Sequence, residues 1–235
     1  MMRLDKYLSH AGYGTRTQVK DIIKKGLVTV NEVVITKDDK KIDETLDDII
    51  VDGQKSDYQK FIYIMLHKPA GVISSNYDPH HKTTKDLIPF YDHYKTFPVG
   101  RLDLDTEGLL ILTNDGLLAH QLLSPRYHVD KTYYVEFTGD FKQIYFSLFE
   151  TGITIDDGYL CMPSKIELID QQKAYLTIKE GKFHQVKRMF QALDMTVTYL
   201  KRVTFGPIKL DETLDKGMNR LLTETEINLL KEAVK

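Results

Sequence analysis

Apolar residues recur at two spacings along this chain, and the change from one to the other marks its elements. In residues 3–10, Leu4, Tyr7 and Leu8 fall on one side of a short helix that Gly12 ends. Thr15 caps a second helix running to Lys25, with Val19, Ile22 and Ile23 on one face and Gly26 placed to stop it in left-handed geometry. Alternation then takes over. Residues 27–30 and 33–35 read as a hairpin about Asn31-Glu32, whose turn type is open because the usual Asn-Gly pair is missing. Ile49, Ile50 and Val51 make a further strand that Asp52-Gly53 closes, and the polar residues 54–60 read as a linker.

Beyond Phe61 strands and helices mix. Strands are predicted over residues 61–66, 109–113, 132–138, 160–168, 174–178 and 196–205, and helices over 117–123, 142–151, 183–193 and 224–232. The last helix opens with a capping box, Thr223-Glu224-Thr225-Glu226. Strands follow one another without regular helical crossovers. The prediction is therefore an α+β protein: a small N-terminal α+β domain over residues 1–58, then a larger domain over 59–235 with a mixed, mostly antiparallel sheet and helices.

Hydrophobic residues make up 42% of the chain and charged residues 28%, values of an ordinary globular protein. No apolar run approaches the roughly 20 residues that span a bilayer, and no leader pattern opens the chain, so no membrane partner and a cytoplasmic location are expected. Cys161 is the only cysteine, which excludes an internal disulfide and a multi-thiolate zinc site; it reads as a small buried apolar residue. The net charge of -2 speaks against a nucleic-acid partner until its distribution is read. Residues 1–30 carry six Lys or Arg against two acids, 31–60 carry five against nine, and 179–209 carry seven against two. Two basic segments are thus hidden in a neutral total, and local basic surface is what attracts phosphates, although it also serves as plain solvated surface.

Four segments could carry chemistry. In VGRLDLDTEGLLILTNDG, residues 99–116, Asp103 and Asp105 lie two apart and would point to one side of an extended chain. Close carboxylates suit acid/base work when one is paired with a cation, and they equally serve as turn carboxylates. In EGKFHQVKRMF, residues 180–190, Val186, Met189, Phe190 and Leu193 form a core stripe, leaving Lys182, His184, Lys187 and Arg188 off it. A cation there would supply the counter-ion that keeps a buried Asp ionised; a basic surface helix has the same pattern. YIMLHKPAGVISS, residues 63–75, is an apolar strand running into a Lys-Pro turn, and Lys131-Thr132-Tyr133-Tyr134 begins a strand whose tyrosines could stack on a base or simply pack. Asp78, His80 and His81 lack the spacing or distant cluster of a metal site, so no metal is expected.

In this order the segments resemble the RsuA family, pseudouridine synthases of ribosomal small-subunit RNA. GRLDLDTEGLLILTNDG, YIMLHKPAGVISS, SPRYHVDKTYYV and EGKFHQVKRMF all match it, and residues 2–53 resemble the alpha-L RNA-binding motif that precedes the catalytic domain there. The resemblance implies that Asp103 is the catalytic aspartate, that Tyr133 stacks on the target base and that Lys187 pairs with the aspartate, where many relatives carry Arg. It implies ribosomal RNA as partner, most closely 16S, with 23S as the alternative, and a monomeric enzyme. Arg101 and Lys182, together with Arg188 and with Arg3, Arg16, Lys20 and Lys24 of the N-terminal helices, would hold the RNA backbone through phosphate contacts. Isomerising uridine gains no atoms or electrons, so no cofactor is expected. Two other classes remain: a non-catalytic RNA-binding assembly protein, which would not need the acidic GRLDLDTEG loop, and a glycoside hydrolase using Asp103 and Asp105, which would leave the N-terminal unit and the basic helix idle.

Overall fold

The computed structural model describes residues 1–56 and 58–235; Asp57, inside the segment read as a linker, lies outside the described residues. The chain forms two compact units, one of Met1–Ile62 with Pro89–Thr96 and one of Tyr63–Ile88 with Phe97–Lys235. Segment 89–96 thus packs with the first unit, although its sequence position is within the second; His93, for instance, lies against Gly12.

The first unit begins with β1 (Met2–Arg3) and α1 (Leu4–His10), followed by α2 (Arg16–Lys24). Thr15 caps α2 as a full capping box, with its own N–H donating to the Gln18 side chain at 2.8 Å. Then come β2 (Val28–Val30), β3 (Val33–Val34), β4 (Lys41–Ile42), β5 (Ile49–Val51) and β6 (Gln54–Lys55). Asn31 and Glu32 both take positive φ, 50° and 68°, the twist a two-residue hairpin needs, without a glycine. The Asn31 side chain makes this tenable by donating to Asp47 and accepting from the Asp48 N–H, both at 2.8 Å. The linker reading is corrected at its start: Asp52 and Gly53 repeat the positive-φ turn, and Gln54–Lys55 returns as a strand against β5. Leu4, Leu8, Val19, Ile23, Val28, Ile42 and Ile49 close the core of this unit.

The second unit is built on a nine-stranded sheet. Its elements are β7 (Tyr63–Lys68), β8 (Phe97–Pro98), β9 (Glu107–Thr113), α3 (Gly116–Leu123), β10 (Lys131–Thr138), α4 (Tyr145–Thr151), β11 (Lys165–Asp170), β12 (Lys173–Ile178), α5 (Gln185–Gln191), β13 (Thr196–Phe205), β14 (Ile208–Lys209), β15 (Asn219–Leu221) and α6 (Glu224–Glu232). The main order is β11-β12-β10-β13-β9-β7-β15, antiparallel except where β9 runs parallel to β13. Every residue of β7 and of β9 is buried, which places both in the middle of the core rather than on a solvated face. β10 instead alternates, burying Lys131, Tyr133, Val135 and Phe137. Phe137, Phe149 and Phe190 pack α4 and α5 together against it, with ring centroids 5.0 and 5.7 Å apart. Cys161 is buried, as its type implied.

β7, α4, β11 and α5 start later than expected, and for the last two the cause is visible. β11 begins at Lys165 because the donors before it are taken elsewhere: the Met162 N–H goes to the Glu180 carboxylate and the Ser164 N–H to the Phe149 carbonyl, both at 2.8 Å. α5 begins at Gln185 because His184 sits in left-handed geometry, φ 49°, and turns the chain just before the helix. Among the described residues no helix is long and apolar enough to cross a membrane.

Candidate active site

Residues 99–106 form a loop between β8 and β9 that has almost no regular structure of its own and is held from outside. Lys68, the last residue of β7, is fully buried, and its Nζ donates to the carbonyls of Asp103 at 3.0 Å and Thr106 at 2.8 Å, with Pro69 at 3.1 Å and Leu104 at 3.4 Å. Burial pushes the Lys68 ammonium down to about 8, against the pull of Asp103, Asp105 and Glu107. On the other side the Ser74 hydroxyl donates to the Leu102 carbonyl and accepts from the Leu102 N–H, both at 3.0 Å. One tethered strand end and one buried hydroxyl thus answer the loop's inward-facing backbone groups, which would otherwise be costly to bury.

The loop turns, with the Thr106 N–H bonded to the Asp103 carbonyl at 3.1 Å, so Asp103 and Asp105 do not share a side through extended chain. They converge by another route. Lys187 of α5 reaches across with its Nζ 2.5 Å from Asp105 Oδ1 and 3.4 Å from Asp103 Oδ2. Burial is the largest influence on the Asp105 carboxyl and pushes it up, but the bond and charge of Lys187, together with its own backbone amide and the charge of His184, sum to more and leave it below the ordinary value. The second oxygen of Asp103 faces His184, whose Nε2 is 3.8 Å away. Side-chain exposure is 26% for Asp103 and 25% for Lys187, enough for a ligand to reach either.

Tyr133 is buried in the wall beside Asp103, on the face of β10 that also carries Lys131. Arg202 of β13 backs it. This guanidinium is fully buried, feels the Tyr133 hydroxyl beside it and gives its Nε to the Leu109 carbonyl at 2.8 Å, while its Nη2 has no partner among the described residues. Lys131 gives its Nζ to the Val129 carbonyl at 2.7 Å, and burial with Arg202 nearby pushes it down to about 8. Arg202 can lie this close to β9 only because position 108 is glycine: a Cβ there would stand 2.2 Å from the Arg202 carbonyl oxygen, and φ is +105°. A cleft of about 500 Å³ runs past Ile73, Arg101, Leu102, Asp103, Lys182 and His184. A second cavity, of about 360 Å³, lies along Arg101, Lys131, Tyr133, Lys179, Lys182 and Arg202. Both volumes are of the size that holds a small ligand.

The expected site residues divide into groups. Asp103, Tyr133, Arg101 and Lys182 line these cavities, with Lys187 3.4 Å from Asp103, Arg101 exposed at the entrance and Lys182 with its Nζ 4.3 Å above the Tyr159 ring. Arg188 points elsewhere and is engaged by Asp156 at 2.5 Å and Asp157 at 2.8 Å. Arg3, Arg16, Lys20 and Lys24 stand in the first unit, where the Arg3 Nε meets Asp5 at 3.0 Å, Arg16 lies 3.8 Å from Asp5 and Lys20 2.9 Å from Asp38, while Lys24 is exposed. Lys68, Ser74 and His184 were not assigned from the sequence. A lysine ending a mostly apolar strand just before proline was a signal for Lys68; Ser74 had none.

The family described as RNA pseudouridylate synthase matches residues 62–192, and the S4 domain matches residues 2–48. An uncharacterised RNA pseudouridine synthase of Bacillus subtilis (strain 168) is 44% identical over 98% of this chain and 99% of its own length. A ribosomal small subunit pseudouridine synthase A of Vibrio cholerae is 40% identical over 96% of this chain and 98% of its own. A ribosomal large subunit pseudouridine synthase B of Bacillus subtilis is 37% identical over 98% and 96%. The crystal structure of a pseudouridylate synthase superposes with a TM-score of 0.70 at 34% identity, covering 98% of this chain and all of that one.

Proposed function

Because the chain belongs to the RNA pseudouridylate synthase family, with an S4 domain ahead of the catalytic fold, we propose that it isomerises one uridine of 16S small-subunit ribosomal RNA and that Asp103 is the carboxylate that does so. The observation that carries the assignment of Asp103 is its position. It stands in a loop fixed from below by Lys68 and Ser74, exposed enough to be reached, with Lys187 and His184 on its two oxygens and Tyr133 in the adjoining wall.

The reaction breaks the N1–C1′ bond of uridine, turns the ring and joins C5 to C1′, while a proton leaves C5 and one is gained at N1. Nothing is oxidised or reduced. A carboxylate is the group such a sequence needs, as nucleophile or as base. Lys187 supplies a positive charge beside it and also holds Asp105, which keeps the second acid from crowding the first. Tyr133, buried on β10 with Arg202 beside it, offers a ring for the base to stack on. Stacking offsets part of the few kcal/mol that drawing a base from its helix costs.

The choice of small-subunit RNA rests on α5 and the turn before it. His184-Gln185-Val186-Lys187 puts an imidazole beside the carboxylate, where large-subunit members of the family more often resemble Asn-Arg-Gln/Glu-Val-Arg-Arg, and RNA folds are read by shape and by splayed bases that such donors meet. The test is direct: incubate the purified protein with unmodified 16S and 23S transcripts and map pseudouridine in both. One site in 16S with no free uracil is expected. A site in 23S alone would overturn the substrate, and release of uracil would overturn the reaction.

A further inference from the structure

Phe183 is 75% exposed in the middle of a basic segment, Lys182-Phe183-His184. A single exposed apolar residue is ordinary. This one is held in place. Its ring lies on the His184 imidazole with centroids 3.8 Å apart and planes 19° from parallel, and its carbonyl accepts from Arg188 Nη1 at 3.3 Å. Arg188 is in turn fixed by Asp156 and Asp157, which gives that cation a task other than meeting phosphate. The His184 ring also reaches Asp103, with Nε2 at 3.8 Å. Phe183 therefore stands at the border of the cleft that contains Asp103, one face covered by His184 and the ring otherwise in water, with Arg101 and Lys182 on the same cleft.

We propose that Phe183 is a base-stacking subsite that takes an unpaired nucleotide adjoining the target uridine, extending the His184–Phe183 stack by one ring. The inference rests on the RNA substrate assigned above. An aromatic face accepts any base, so the subsite adds grip without demanding a sequence, and the flanking cations suit the phosphates on either side of the stacked base. Holding the neighbour outside the helix also keeps the strand open while the target uridine reaches Tyr133.

The protein has no tryptophan, so Phe183→Trp places a single indole at the subsite of the full-length chain. Titrated with unmodified 16S transcript, that indole should be quenched as the RNA binds, with the quench saturating at the same concentration as filter retention. Phe183→Ala should weaken RNA binding by about 5- to 150-fold, the range alanine substitution gives at single-strand stacking sites. Its salt slope and melting temperature should match the wild type, because stacking releases no counter-ions and the ring supports no core. An unquenched indole on retained RNA, an affinity unchanged in Phe183→Ala, or a loss expressed as a shallower salt slope would each overturn the subsite. These readouts need no turnover. Absence of pseudouridine with the wild-type protein would instead sink the assigned reaction.

Discussion

Lys187 is the side chain on which the candidate site turns, because it is the cation that touches both carboxylates of the loop. Lys187→Met should lower kcat by about 100-fold, the scale seen when one preorganised charged donor is removed from an active site, with little change in melting temperature because the group is partly exposed. Lys187→Arg should retain part of the rate, since the charge remains but the fork must fit a space shaped for a point charge. Near-normal kcat in Lys187→Met, measured in single-turnover assays, would contradict the arrangement. The buried lysines make a different prediction, one of stability. Lys131 has a folded pKa of about 8 against an ordinary 10.5, so between those values the unfolded chain binds more protons than the native one. Its burial costs stability below pH 8, and that cost fades as pH rises toward 10.5. Wild type should therefore gain stability relative to Lys131→Met between pH 8 and 10 in thermal melts; a difference flat with pH would refute this. Above that window Tyr63 and Tyr199, whose pKa values burial raises, act in the opposite sense, because the unfolded chain loses their protons first.

At the scale of elements, the one parallel pairing in the sheet depends on a missing side chain. Gly108 lets β9 lie against β13 at Arg202, so Gly108→Ala should cost about 3 kcal/mol or more by forcing the two strands apart in a backbone region alanine avoids. It should also loosen Tyr133, which pairs with Arg202 across β10 and β13. Chemical denaturation checks the first effect, and a denaturant midpoint equal to wild type would contradict it. Strongly periodic elements are legible from the sequence: β13 and α6 have the predicted limits, and the capping box at Thr223 forms as read. The pattern misplaces limits where a side chain or an unusual backbone angle overrides it, as Glu180 does before β11 and His184 does before α5. The acidic loop and the basic helix are legible as a pair worth joining. Their supports are not, because Lys68 and Ser74 act through backbone carbonyls and an amide of residues some 28 to 38 positions away, and such bonds leave no periodicity.

At the scale of the whole molecule, the near-neutral charge hides a division of labour. The opening 30 residues carry six cations against two acids, yet Asp5 and Asp38 already answer Arg3, Arg16 and Lys20, which leaves less free charge than the helix pattern suggests. Replacing Arg16, Lys20 and Lys24 together by Met should weaken RNA binding and make the salt slope shallower, by about 0.7–0.9 for each phosphate no longer neutralised, while kcat at saturating RNA falls far less. An unchanged slope would remove these residues from the RNA-binding surface. Conversion of one uridine of small-subunit ribosomal RNA into pseudouridine through Asp103 can be tested in the cell itself. The measurement is a pseudouridine map of both ribosomal RNAs from cells lacking the gene, complemented with the wild-type chain or with Asp103→Asn. One 16S site should disappear on deletion, return with the wild type and stay absent with Asp103→Asn. A site confined to 23S, or one restored by Asp103→Asn, would contradict that role.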